Sequence, residues 1–191
     1  MRRINDLVAD LTGQDESAAE AAAHELAKLG KAGSEAVLGL LGSEHTEHRW
    51  WAVRTMAAMA NPPTDHLLRA LVDPEAEVRA AAALALAAHP DESAAAPLAR
   101  ALEDEDNVVA VLAVSALTKL GGAAVPMLIE AFDSATPRGK IQIMRALAEL
   151  RDPRSIKLMM TAQETHSAAL HYWAQAGLER LGLDMVYMRP D

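Results

Sequence analysis

The chain has 191 residues and a net charge of −9, from 18 lysines and arginines against 27 acids. That balance opposes attraction to phosphate backbones and anionic bilayers, and the absence of cysteine excludes disulfides and thiolate metal sites. Aromatic residues make up only 3% of the chain, and alternating runs of strand formers are missing, so an all-α fold is expected.

The N-terminal stretch is basic but meets Asp6 and Asp10 before any apolar run, a poor signal peptide. No stretch of bilayer-spanning length is expected, and cytoplasmic residence is the default. From there on, apolar columns hold phase. Leu26, Met56, Leu86, Leu117, Leu147 and Leu178 fall at steps of 30, 30, 31, 30 and 31 residues. Leu7, Val37, Leu67, Leu98, Leu128 and Met159 run in step with them, and a third column reads Leu11, Leu41, Leu71, Leu102 and Phe132 before giving way to Gln163. A period in this range over the whole length marks an array of stacked units, each touching its neighbours. Six repeats are expected at 4–30, 31–61, 62–91, 92–121, 122–152 and 153–183 within a single domain over 1–191, with 184–191 as a tail.

Each repeat predicts a short helix, an acidic turn, a longer helix and a break. In the third, residues 65–72 place Leu67, Leu68 and Leu71 on one face. Asp73-Pro74-Glu75 ends that helix and starts the next, because proline fits a first turn and acids suit a helix N-terminus. The second helix spans 76–88 and buries Val78, Ala82, Ala85 and Leu86, and His89-Pro90-Asp91 breaks the chain. Equivalent breaks stand at Gly30 to Gly33, Asn61-Pro62-Pro63, Gly121-Gly122 and Asp152-Pro153.

The run Asp73-Pro74-Glu75-Ala76-Glu77-Val78-Arg79-Ala80-Ala81-Ala82 resembles the HEAT-repeat signature, above all the short variety named after phycobilisome lyases. The resemblance extends from Ile4 to Leu183. It implies a right-handed α-solenoid of antiparallel helix pairs whose second helices line a concave side. The signature arginine column reads Ala19, Arg49, Arg79, Ala110, Lys140 and His171, so only the second and third repeats keep the arginine.

At about 100° per residue, Ala80 faces away from the buried side of its helix, with Leu84 and Glu77 beside it. Its equivalents are Glu20, Trp50, Val111, Ile141 and Tyr172, and the column of Ala81 reads Ala21, Trp51, Leu112, Gln142 and Trp173. A face meeting only water would be polar at these positions. The candidate partner-binding stripe is therefore Trp50, Trp51, Arg54, Val111, Leu112, Ile141, Arg145, Tyr172 and Trp173. It would extend ~30–40 Å at roughly 8–10 Å per packed helix. Trp50 and Tyr172 point furthest out. Trp51 and Trp173 lie on the flank, where packing between repeats competes with exposure. Arg54 and Arg145 share the column of Leu84 and would anchor carboxylates. The expected function is a non-catalytic scaffold or adaptor with a protein or peptide on its concave face, and no cofactor, metal, nucleic acid or membrane. The alternative, implied by the resemblance, is a phycobilin-lyase-like or other cofactor-maturation subunit.

Other constellations fall short of a site. His24-Glu25 resembles the His-Glu motif of deoxyhypusine hydroxylase, a HEAT-repeat di-iron enzyme, but the equivalent pairs here are Arg54-Thr55, Leu84-Ala85, Ser115-Ala116, Arg145-Ala146 and Ala176-Gly177. None of these ligates iron. His45 and His48 lie near Glu44 and Glu47, but His48 stands in the column of Val78 and reads as a half-buried packing residue; His166 and His171 point in different directions. Glu103-Asp104-Glu105-Asp106 falls at a turn between paired helices, where capping and dipole compensation account for it. Trp50, Trp51 and Arg54 have the residue types with which the HEAT-like alkylpurine DNA glycosylases grip DNA, but no basic stripe accompanies them.

Overall fold

Every residue of the first two apolar columns is buried, from Leu7 and Leu26 to Met159 and Leu178. The structure is a computed structural model and describes residues 2–183; the tail expected at 184–191 lies outside them. Among the described residues there are twelve α-helices and no strand. The chain divides into two compact units, Met1–Asp91 and Glu92–Asp191.

The first unit holds three helix pairs: α1 (Ile4–Leu11) with α2 (Glu16–Lys28), α3 (Lys31–Leu38) with α4 (Thr46–Ala57), and α5 (Thr64–Ala70) with α6 (Ala76–Ala88). Each pair packs on itself, and the second helices form a layer in which α2 packs on α4 and α4 on α6. The second unit repeats the plan with α7 (Ala95–Ala101) and α8 (Asn107–Leu120), α9 (Val125–Ser134) and α10 (Pro137–Leu150), and α11 (Ile156–Gln163) and α12 (Ala168–Arg180). There α8 packs on α10 and α10 on α12. Alanines at Ala82, Ala113, Ala146 and Ala174 are fully buried, leaving leucine to fill the space between small side chains.

Leu41 of the third column is only half-buried. Its helix stops at Leu38 and passes into a 3-10 turn over Gly39–Gly42, because two glycines destabilise a continuing α-helix. A second departure concerns the apolar run. Residues Asn107–Ser134, 28 in number and containing an 18-residue stretch with a mean hydropathy of 2.0, are long and apolar enough to pass for a membrane span, contrary to the expectation above. The backbone divides them. Gly121 takes φ 65°, α8 ends at Leu120, and α9 starts only at Val125 after a 3-10 turn. At ~1.5 Å per residue, neither helix reaches the roughly 30 Å of a hydrocarbon core. Their inward residues Val109, Val114, Leu117, Val125 and Leu128 are buried in the second unit.

Polar turn residues close the helix ends. Asp15 accepts hydrogen bonds from the backbone N–H groups of Ser17 and Ala18, and Asp106 from those of Val108 and Val109. Thr136 and Ser167 do the same for α10 and α12. Asp106 is thus the capping member of the acidic run. Another member, Glu103, accepts from the N–H of Thr136 at 2.8 Å and ties one turn to the turn of the next repeat.

Candidate functional site

The two signature arginines are structural. Arg49 donates from Nε and Nη2 to the Asp73 carboxylate at 2.8 and 2.9 Å, and from Nη1 to the Ser43 carbonyl at 2.9 Å. Arg79 donates from Nη1 to the carbonyls of Asp73 and Pro74 at 2.8 and 2.9 Å. Both arginines are buried. Burial works to raise the Asp73 carboxyl pKa, but hydrogen bonds from Arg49 and from the Glu75 N–H, with the charges of Arg49 and Arg79, bring it below its ordinary value. These contacts fasten the acidic turns and leave the outward faces of the second helices to other residues.

In the first unit, α4 carries Trp50, Trp51 and Arg54. Trp51 is only 3% exposed and belongs to the core; its flank position resolves as packing. Trp50 is half-buried and meets Trp51 edge-on, ring centroids 4.9 Å apart. The Arg54 guanidinium lies 5.2 Å from the Trp50 ring centroid and donates in two parallel bonds, 3.0 and 2.9 Å, to Glu20 of α2. Hydrogen bonding by Arg54 holds the Glu20 carboxyl below its ordinary pKa against the opposing effect of burial, with the charges of Arg54 and His24 adding to it. Arg54 is therefore already neutralised within its own unit, and the carboxylate it anchors is Glu20. Leu84, from the same column on α6, is 56% exposed and was not among the residues singled out from sequence. Its register beside Ala80 was the available signal.

In the second unit, Val111 and Leu112 on α8 and Ile141 on α10 are half-buried. Tyr172 on α12 is 62% exposed. Its ring meets the half-buried Trp173 edge-on at 5.1 Å. Arg145 of α10 stacks on Trp173 at 5.4 Å and donates to Glu149 at 3.2 Å. Second helices α10 and α12 thus meet through an arginine–indole contact, and Tyr172 projects beside it. Arginine–tryptophan pairs form in both units: Arg54 and Trp50 four residues apart on α4, and Arg145 and Trp173 across α10 and α12.

The His45 and His48 rings meet at 4.9 Å, tilted by 58°, and His48 Nδ1 lies 3.2 Å from Ser43 Oγ. His48 is half-buried, as its column predicts. His24 Nδ1 lies 2.9 Å from the Glu20 carbonyl oxygen. Among the described residues no three metal-ligating side chains gather.

Paired helices repeated along a chain, with polar turns bound to one another and apolar columns inside, define an α-solenoid of the armadillo-like class. The family model described as HEAT repeats matches residues 64–139. Phycocyanin operon protein Z of Pseudanabaena tenuis is 32% identical over 133 residues, 64% of this chain and 66% of that protein. Bilin biosynthesis protein RpcF of Synechococcus sp. is 40% identical over 76 residues, 39% of this chain and 36% of that protein. The chain therefore spans less than two thirds of each of these relatives. Among solved structures, an archaeal HEAT-like repeats protein from Thermococcus onnurineus superposes with a TM-score of 0.65 at 15% identity, covering 94% of this chain and 80% of that one. The complex of CpcE and CpcF of phycocyanin lyase from Nostoc sp. gives 0.55 at 22% identity, covering 96% and 77%. The chain is thus similar to HEAT-repeat proteins over residues 64–139, and to a phycocyanin operon protein and a bilin biosynthesis protein over part of their length.

Proposed function

We propose that the chain is a cofactor-maturation subunit of the bilin-lyase-related kind, and that it works by holding a protein partner against the outward faces of its second helices. The observation that carries this reading is the 40% identity to a bilin biosynthesis protein over 76 residues. The relation to a phycocyanin operon protein over 133 residues supports it. The partner is a companion HEAT subunit or a pigment-bearing client, and the cytoplasm is where they meet. In the second unit the contact centres on Tyr172, with Ile141, Arg145 and Trp173 around it; in the first, on Trp50 and Leu84. Aromatic side chains of this kind contribute most to interfaces where they stay rigid, and stacking against Arg145 and Arg54 supplies that rigidity. The residues named bind; none is assigned a bond-making step.

Co-expression with a phycocyanin-type subunit and a bilin source tests the proposal. Covalently bound pigment, read by absorbance of the denatured client, is expected to rise when the chain and its companion subunit are present. Capture of the partner by the Tyr172→Ala and Trp50→Ala variants is expected to fall about tenfold each. A partner that is captured equally by both variants would remove the assigned faces. A partner captured normally with no pigment gained would favour the second reading, a general protein-binding scaffold with the same aromatic residues.

A further inference from the structure

A groove of about 610 Å³ opens in the first unit where the C-terminal ends of α2 and α4 meet the start of α3. It is separate from the residues proposed to hold a protein partner. Its apolar side is made by Ala58, Ala60 and Pro63, with the buried Met59 behind them. Its polar rim carries His24, Lys28 and Lys31, and no carboxylate is among its lining residues. In a chain of net charge −9, a groove with three cationic or cation-forming side chains and no lining acid is an exception that chance composition does not favour. Lys28 makes no ion pair among the described residues, and Lys31 has only a long contact with Glu35, 3.8 Å, with both side chains exposed. The lysines are therefore available to a ligand. The Nδ1 side of the His24 ring is turned to the Glu20 carbonyl at 2.9 Å, which leaves Nε2 for a ligand as the other polar atom of the ring.

We propose that this groove binds a small organic carboxylate with an apolar body, the body against Ala58, Ala60 and Pro63 and the carboxylate between Lys28 and Lys31. The volume falls in the range of roughly 300–1,000 Å³ usual for small-molecule sites. The mixed lining suits an amphipathic anion better than a bare inorganic one, which would leave the apolar wall uncovered. The proposal does not depend on the maturation reading, since it concerns other residues and is tested on the chain alone.

Titration of the full chain with 4-phenylbutyrate, followed by two-dimensional amide NMR, checks it directly. The amides of Lys28, Lys31 and Asn61 are expected to shift together with a saturable dissociation constant. The uncharged 4-phenylbutyramide is expected to bind several-fold more weakly. Each of the exposed-site variants Lys28→Ala and Lys31→Ala is expected to weaken phenylbutyrate about threefold, as single solvent-accessible charge pairs do. The absence of saturable shifts, equal affinity for the neutral amide, or unchanged affinity in the double variant would each overturn the site. An acetylated acidic pentapeptide that bound at least about tenfold more tightly than phenylbutyrate would also overturn it, because the occupant would then be a polypeptide.

Discussion

Thr55 stands in a column whose other members are Glu25, Ala85, Ala116, Ala146 and Gly177. It is fully buried, and its hydroxyl finds no hydrogen-bond partner. An unpaired buried hydroxyl costs on the order of 1–3 kcal/mol, so Thr55→Val, which keeps the branched shape and removes the polar atom, is expected to stabilise the chain by about 1 kcal/mol. Chemical denaturation measures it, and a loss of stability would mean that the hydroxyl is bonded in solution. Asp152 is the opposite case, a carboxylate whose two oxygens are both hydrogen-bonded. Arg154 donates to both of its carboxylate oxygens, at 2.8 and 2.6 Å, and to the Gly122 carbonyl at 2.7 Å. Hydrogen bonds from the Arg154 side chain and N–H lower the carboxyl from 3.8 to about 2. Because the folded value is the lower one, the contribution is complete above the unfolded value and is lost as pH falls from about 4 through 2. Carboxyl-detected NMR is expected to place the Asp152 midpoint near 2 in the intact chain, and Arg154→Ala to return it towards the ordinary carboxylate range.

Between elements, the stabilising polar contacts recur from one turn to the next. Arg49 reaches from the second repeat to Asp73 of the third, Glu103 from the fourth to Thr136 of the fifth, and Arg154 from the sixth to Gly122 of the fifth. The Arg49 contact is the most enclosed, with side chains 10% and 9% exposed. Arg49→Ala would leave the Asp73 carboxylate short of its main partner in a poorly solvated turn, an expected cost of about 2–4 kcal/mol. Asp73→Asn in the Arg49→Ala background is expected to recover part of that loss by removing the stranded charge, and a thermal unfolding series on the two variants measures both. The helices themselves were legible because columns such as Leu26 to Leu178 encode burial at a fixed period. The signature arginines were legible as a column but not as turn fasteners, since Arg49 and Asp73 lie 24 residues apart. The candidate face was legible only in part. Tyr172 projects as its register predicts, whereas Trp51 is 3% exposed, because a flank position on a helix with neighbours on both sides is enclosed by them. The pairing of Arg54 with Glu20 depends on two long side chains meeting across 34 residues, and no local pattern encodes that.

Across the molecule, each compact unit has its own buried core: Leu7, Leu26, Val37, Met56, Leu67 and Leu86 in one, and Leu98, Leu117, Leu128, Leu147, Met159 and Leu178 in the other. In a stacked array, stability is close to a sum of repeat terms and nearest-neighbour terms, so damage to one repeat should remain local. Gly33 offers a sharp way to apply it. A Cβ there would strike the backbone carbonyl oxygen of Leu26 and lie 3.4 Å from the Leu26 Cα, and a backbone atom cannot swing aside as a side-chain tip can. Gly33→Ala must therefore push α3 away from α2, at an expected cost of about 2 kcal/mol or more. Hydrogen exchange followed by mass spectrometry is expected to show amides of α1 to α4 exchanging at least about tenfold faster in the variant. Amides of α7 to α12 are expected to change by no more than about twofold, because their protecting contacts lie within the other unit. Equal acceleration along the whole chain would show that the six repeats unfold as one cooperative body, with opening governed by the global free energy instead of by nearest neighbours.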